Sequence, residues 1–311
     1  MENSVIVIVG PTGVGKTETS IKIAKEFDGE IVSADSMQIY KKMDIGTAKI
    51  TKDETDGVPH HMIDILDIDK TYSAAAYKKD ATRIIDDIIK RGKTPVVAGG
   101  TGLYVDSLFS DFEFGASFKD EKIREKYNQI AKEKGNEYLH ALLEKVDKKS
   151  AESIHFNNVK RVIRALEIYE MTGKTVSENN SQIKKTSSKY NPIMIGLTRE
   201  RQKLYDRIDA RVDKMIDDGL FKEVLSLYKG DTPFSETALS AIGYKEVIYY
   251  IKGLCTFDEM VHILKRESRH YAKRQLTWFK RNKDIKWFDL NDDNICDIIN
   301  YIKNFKGGIL L

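Results

Sequence analysis

The chain has 311 residues, 41% hydrophobic and 32% charged, with 51 Lys and Arg against 48 Asp and Glu for a net charge of +3. This excludes disordered and collagen-like chains and predicts a globule of two domains, or of one domain with a large insertion. Cys255 and Cys296 without a CxxC pair exclude a disulfide framework and a Cys-rich zinc site. No apolar run approaches the roughly 18 residues of a membrane span, and the first residues lack a basic leader, so a cytoplasmic protein without a signal peptide is expected.

The first hundred residues alternate between strand and helix. Val5 to Val9 is a continuous β-branched run of the kind that suits a buried parallel strand. A glycine-rich turn follows, then a helix from about Lys16 to Phe27. Ile31-Val32 begins a second strand ending near Asp35, and His61-Met62-Ile63-Asp64 is a candidate third. Ala74 to Lys90 reads as a helix stopped by Gly92, and Pro95 to Ala98 as a strand ending in Gly99 and Gly100. The rhythm predicts an α/β fold: an open parallel sheet flanked by helices, with ligands outside the carboxyl ends of the strands.

From about Gly115 to Tyr190 the texture is charged and helical, with 16 basic and 11 acidic residues. Its net of +5 in a chain of +3 leaves the remainder slightly acidic. A mostly helical insertion (115–190) in a core made of 1–114 and 191–311 is the natural division, and its sign suggests an acidic partner. Pro192 to Leu197 returns to strand character. Helical pattern resumes from Arg201 to Tyr228 and from Phe257 to Arg281, and Trp287 to Leu290 reads as an edge strand.

Gly10-Pro11-Thr12-Gly13-Val14-Gly15-Lys16-Thr17 is a complete G-x-x-x-x-G-K-T between a strand and a helix. In that setting it is a phosphate-binding P-loop: backbone N–H groups and the helix N-terminus point at an anion, Lys16 adds a charge, and the Thr17 hydroxyl can hold Mg²⁺. The motif identifies a polyphosphate ligand, not a reaction. Asp35 falls at the same edge of the sheet, where it is open to three roles: metal carboxylate, general base, or cap of the following turn. In Gly99-Gly100-Thr101-Gly102 the glycines allow a close approach to a ligand. Thr101 there serves either a reacting centre or a helix N-cap.

Two helices carry basic faces. Between Lys265 and Lys283 there are eight Lys and Arg and one acid, with Arg266, Arg269, Lys273, Arg274 and Arg281 on one broad side. That pattern suits a phosphate backbone. Tyr271, Ala272, Gln275 and Leu276 form part of the other side. Lys160, Arg161 and Arg164 make a smaller basic face, with Asn157 or Asn158 as cap and Gly173 as stop. His60-His61 lacks a Cys/His partner set, and a structural or substrate-side role is expected rather than a metal site.

The P-loop, Asp35-Ser36-Met37-Gln38-Ile39-Tyr40, Ile45-Gly46-Thr47-Ala48-Lys49, Gly99-Gly100-Thr101-Gly102-Leu103-Tyr104, Lys160 to Glu167, Leu204 to Ile208 with Arg211-Val212-Asp213, Ile242 to Glu246 and Ala272 to Trp278 form an ordered set. It resembles the bacterial tRNA dimethylallyltransferase (tRNA isopentenyltransferase) family over residues 5 to 290. The resemblance implies a P-loop NTPase-like core and transfer of a dimethylallyl group from its diphosphate to N6 of the adenosine 3′ of the anticodon. The loop then grips diphosphate, with Mg²⁺ on Thr17. By the same resemblance Asp35 is the base, with Thr101, Lys16 and Arg211 as its catalytic company. Contacts to the tRNA anticodon stem-loop fall on Asp35, Ser36, Met37, Gln38 and Thr101; on Lys160, Arg161, Val162, Ile163 and Arg164; and on Ser240, Ala241, Ile242, Gly243, Tyr244 and Lys245. Lys273 and Arg274 are added from the basic face. The expected state is a monomer. An adenylate isopentenyltransferase acting on free nucleotide would share the loop and the base but would not need the two basic helices; a small-molecule kinase would share the loop.

Overall fold

In the computed structural model, residues 3–109, 120–178 and 189–306 are described. Contacts divide the chain into two units, Met1–Phe109 with Lys189–Leu311, and Ser110–Ser188. The predicted boundary Gly115 lies outside the described residues. Tyr190, by contrast, is buried in the first unit, where its hydroxyl donates to Asp86 Oδ1 at 2.8 Å.

The first unit is built on six parallel strands: β1 (Ser4–Val9), β2 (Gly29–Ser33), β3 (His60–His61), β4 (Thr94–Gly99), β5 (Asn191–Thr198) and β6 (Lys286–Asp289), in the order β3-β2-β4-β1-β5-β6. Val5 to Val9 are fully buried, as a β-branched strand covered on both faces must be. Helices α1 (Lys16–Glu26), α2 (Ala74–Lys90) and α3 (Gly102–Phe109) follow β1, β3 and β4. The Ser73 hydroxyl caps α2 by accepting from Ala76 N at 3.1 Å.

The second unit holds α4 (Glu121–Lys134), α5 (Asn136–Val146), α6 (Lys148–Ser153) and α7 (Val159–Thr172) around a core of Leu139, Leu143, Val162, Ile163 and Leu166. At its centre the buried Glu167 carboxylate accepts from Arg124 and Arg164 and from the Asp120 N–H, and this hydrogen bonding outweighs the burial that opposes its charge.

The first unit resumes with α8 (Arg201–Asp217), α9 (Leu220–Lys229), α10 (Glu236–Leu239), α11 (Tyr244–Ile251), α12 (Phe257–Phe279) and α13 (Ile295–Lys306). These build a second core, in which Tyr40, Met43, Leu220, Tyr244 and Leu264 meet. Among the described residues no helix is long and apolar enough to cross a membrane.

Three local expectations are corrected. The third strand stops at His61, because Met62 and Asp64 adopt φ of 63° and 54° and turn the chain out of the sheet. The run Arg201 to Tyr228 is two helices, parted at Asp218-Gly219. Asn158 occupies the N-cap of α7 without a side-chain cap bond, and Asn157 instead accepts from Asn136. Helices α10, α11 and α13 were not read from the sequence. His61 is structural: its Nε2 lies 2.8 Å from Glu30, whose carboxyl is held down at about 2, by Arg91 first and His61 after it.

Candidate active site

The strand order explains why distant motifs meet. Neighbouring β2, β4 and β1 release Asp35, the Gly99–Thr101 turn and the phosphate loop at one edge of the sheet. There they border a cavity of about 820 Å³, whose opposite wall comes from α8 and α12.

The phosphate loop curls as the motif requires, with Gly15 in the left-handed region at φ 116° immediately before α1. Lys16 Nζ donates to Gly10 O at 3.0 Å and Pro11 O at 2.9 Å, which keeps the ammonium inside the loop. Burial, partly offset by the nearby Asp35 carboxylate, lowers its pKa to about 8. Thr17 lines the cavity one residue on. Three further side chains brace the loop: Arg199 Nε donates to Val14 O at 2.9 Å, Arg207 Nε donates to Gly13 O at 2.9 Å, and Gln275 Oε1 accepts from Thr12 N at 2.8 Å. None of the three was singled out as a site residue from the sequence. Arg207 and Arg211 stand one turn apart on α8, and that spacing is the signal that marks them.

Arg211 Nη1 lies 3.3 Å from Thr12 Oγ1, which joins the expected cation to the loop, and burial lowers its pKa against the opposing pull of Asp35. Asp35 lines the same cavity and also turns the chain, because its Oδ1 accepts from Met37 N at 2.9 Å. The turn-capping role and the cavity-facing role therefore coexist. Thr101 stands behind Ser36: its Oγ1 accepts from Ser36 N at 3.0 Å and donates to Ser36 Oγ at 3.2 Å. The cap of α3 comes from the Thr101 carbonyl, which accepts from Tyr104 N and Val105 N, so the hydroxyl is left to Ser36 and to Tyr271.

The glycines after β4 are explained by packing against protein. A Cβ at Gly100 would lie 2.0 Å from Gln275 Nε2, and one at Gly102 would lie 2.1 Å from the Trp278 ring. The close approach expected of a ligand is made by α12.

Met37, Gln38, Ser240, Ala241, Ile242 and Arg274 also line the cavity, as does Tyr271, whose phenol is pushed up by burial and by the Asp35 charge. Tyr244 does not: it is fully buried and donates its hydroxyl to Glu223. Val162 and Ile163 belong to the core of the second unit. Lys160 and Arg161 are exposed on α7, while Arg164 is engaged with Glu167. The basic face of α12 is narrower than its sequence suggests, since Arg269 pairs with Asp209 and Lys265 with Asp213 across to α8. Lys273 and Arg274 stay exposed, with Arg274 over the Tyr271 ring at 5.7 Å.

Among the described residues no group of three or more His, Cys, Asp or Glu could hold a metal. The Thr17 hydroxyl, which lines the cavity at the phosphate loop, is instead the kind of oxygen donor that suits Mg²⁺.

The model of the IPP transferase family matches residues 38–282. A tRNA dimethylallyltransferase of Acetivibrio thermocellus is 49% identical over 304 residues, 98% of this chain and 96% of the relative. The solved tRNA isopentenylpyrophosphate transferase of Bacillus halodurans is 46% identical and superposes with a TM-score of 0.73, covering 99% of this chain and 96% of that one. A eukaryotic dimethylallyltransferase studied in the act of modifying tRNA is 30% identical with a TM-score of 0.81, covering 98% of this chain and 80% of its own.

Proposed function

The chain belongs to the IPP transferase family, and from that premise we infer that it transfers a dimethylallyl group from dimethylallyl diphosphate to N6 of the adenosine 3′ of the anticodon in tRNA, releasing diphosphate. The observation that carries the reading is the cavity shared by the phosphate loop, Arg211 and Asp35.

An exocyclic adenine amine is a weak nucleophile, because its lone pair is delocalised into the ring. An allylic diphosphate compensates by ionising readily. The C–O bond to diphosphate breaks as the N6–C bond forms. Negative charge grows on the leaving group, and the phosphate loop, Lys16 and Arg211 supply the donors and positive charge that stabilise it. Asp35 takes the proton that N6 must lose. The target base has to leave its stack to enter the cavity, and Ser36, Met37 and Gln38, which line it, take up that base in this reading. Thr101 fixes Ser36 from behind and so sets the Asp35 turn.

We propose Mg²⁺ as cofactor: the Thr17 hydroxyl would hold it, and it would supply charge stabilisation to the leaving group. The tRNA backbone is taken up by Lys273 and Arg274 and by Lys160 and Arg161, and the anticodon stem-loop is the acceptor. Such an acceptor is met in the cytoplasm, where we place the protein as a monomer.

The test is incubation with Mg²⁺, dimethylallyl diphosphate and unmodified tRNA, with AMP, ADP and ATP as parallel acceptors, read by mass spectrometry. A gain of one dimethylallyl group on tRNA adenosine alone is the expected result. Gain on free nucleotide moves the protein to the adenylate branch, and no transfer to any acceptor removes the reading.

A further inference from the structure

We infer that Gln275 is a positioning residue that holds the diphosphate site and the acceptor site in one register. The inference rests on the transfer reaction above and names a device that serves it.

Strands β1 and β4 pair through Val9 and Gly99. Beyond that pair the two chains diverge into the phosphate loop and the Gly99–Thr101 turn. The side chain of Gln275 stands between them: Oε1 accepts from Thr12 N at 2.8 Å, and Nε2 donates to Gly100 O at 3.0 Å. A carboxamide carries donor and acceptor in one plane, as a peptide does, so it acts as one more rung after the ladder has ended. The rung is 4% exposed, and the absence of a Cβ at Gly100 lets it lie against the backbone.

Its seat is fixed one turn further along α12. Trp278 packs on Gly102 and donates Nε1 to Asp106 Oδ2 at 2.9 Å. The two residues that Gln275 joins each lead to a reacting group. Thr12 meets Arg211 through its hydroxyl; Gly100 precedes Thr101, which holds Ser36 beside Asp35. A shift of this amide displaces the leaving-group cations relative to the base. Lys273 and Arg274, on the same turn of α12, are the exposed cations assigned above to the RNA backbone, so the helix that receives RNA also sets the spacing of the two sites.

Gln275→Glu tests this with a built-in switch. A protonated carboxyl is isosteric with the amide and keeps both bonds. A carboxylate has no hydrogen for Gly100 O and faces it with like charge, so burial and this contact raise the pKa of the new group above the usual carboxylate range. Tyr271 on α12 meets this side chain directly. Arg274 on α12, Lys16 of the phosphate loop, Arg211 on α8 and Asp35 after β2 line the same cavity, and Asp106 on α3 holds Trp278 one turn along. All are present in wild type and in Gln275→Met, so the ratio of Gln275→Glu to wild type isolates the substituted residue.

We expect Gln275→Met to lose about tenfold in kcat/KM for dimethylallyl diphosphate, the equivalent of one hydrogen bond, at every pH. We expect the ratio of Gln275→Glu to wild type to climb by about as much from pH 8 to pH 6. The assays are run well below the melting temperature of each variant, so that folded fraction does not enter. The same comparison on the affinity for inorganic diphosphate, by titration calorimetry, separates the inference from the transfer reading: absence of wild-type transfer removes that reading, while the affinity ratios still judge Gln275. A flat ratio for Gln275→Glu, or Gln275→Met within twofold of wild type, overturns the proposal.

Discussion

The Tyr244 hydroxyl donates to Glu223 Oε1 at 2.5 Å, beneath the segment that walls one side of the cavity. The same carboxylate accepts the backbone N–H groups of Asp44, Ile45 and Gly46 at 3.0, 2.8 and 3.1 Å. Four donors thus converge on one side chain of α9. Tyr244 also presses its ring onto Gly46, where a Cβ would lie 2.4 Å away. The next residues, Thr47 and Ala48, line the cavity.

From this arrangement, Glu223→Ala is expected to cost about 2–3 kcal/mol of stability, since three backbone donors lose a charged acceptor. Glu223→Gln should cost less: with its amide nitrogen toward Tyr244, whose hydroxyl can turn to accept, it loses only the Gly46 bond. Tyr244→Phe should cost least. Chemical denaturation checks the order, and equal losses for all three would mean that the carboxylate is not the anchor.

Asp35→Asn separates the two roles that coexist at that residue. The amide oxygen can still accept from Met37 N, so the turn should survive. Proton acceptance is lost, and the transfer rate should fall by about 10²–10⁴ with inorganic diphosphate binding retained. Single-turnover assays and calorimetry measure the two quantities, and near-normal turnover would remove Asp35 as the base.

The lowered pKa of Lys16, about 8, makes two predictions of opposite sign. Ligand binding needs the ammonium, so diphosphate affinity should decline as pH rises through 8. Stability should change the other way. Between pH 8 and the ordinary lysine range near 10.5 the unfolded chain holds the proton that the folded chain has released, and stability from this residue rises with pH across that window. Lys16→Met should therefore melt no lower than wild type at pH 7 while losing most of its diphosphate affinity. A large drop in melting temperature would contradict the burial argument.

Lys273→Glu with Arg274→Glu should weaken tRNA binding and reduce the salt slope by about one unit for each phosphate no longer neutralised. The folded core should be unaffected, because both side chains are exposed. Filter binding across a salt series reads the slope; an unchanged slope would show that this part of α12 only faces solvent.

The sheet was legible because its strands are continuous apolar runs ending in turn residues, and the phosphate loop because its motif spans eight consecutive positions. What the sequence hid was long-range pairing. Arg269 and Lys265 look like free cations along α12, yet Asp209 and Asp213 on α8 neutralise them. Gln275 sat on the side of α12 read as packing, and its partners are 263 and 175 residues away. Glu223 gave no local signal at all, since the backbone that it holds is 177 to 179 positions earlier. Gly100 and Gly102 suggest a ligand in the sequence, yet α12 is what lies against them, because a glycine records only that something comes near.

The rings of Phe109 and Tyr190 lie 6.5 Å apart, at the two places where the chain leaves and rejoins the parallel sheet's own unit. To that sheet, everything between them is a closed loop whose ends are already pinned. The entropy of closing a loop grows only with the logarithm of its length. A change in the length of the module carried there therefore costs the sheet's own unit little closure entropy, because its two junctions are already held side by side.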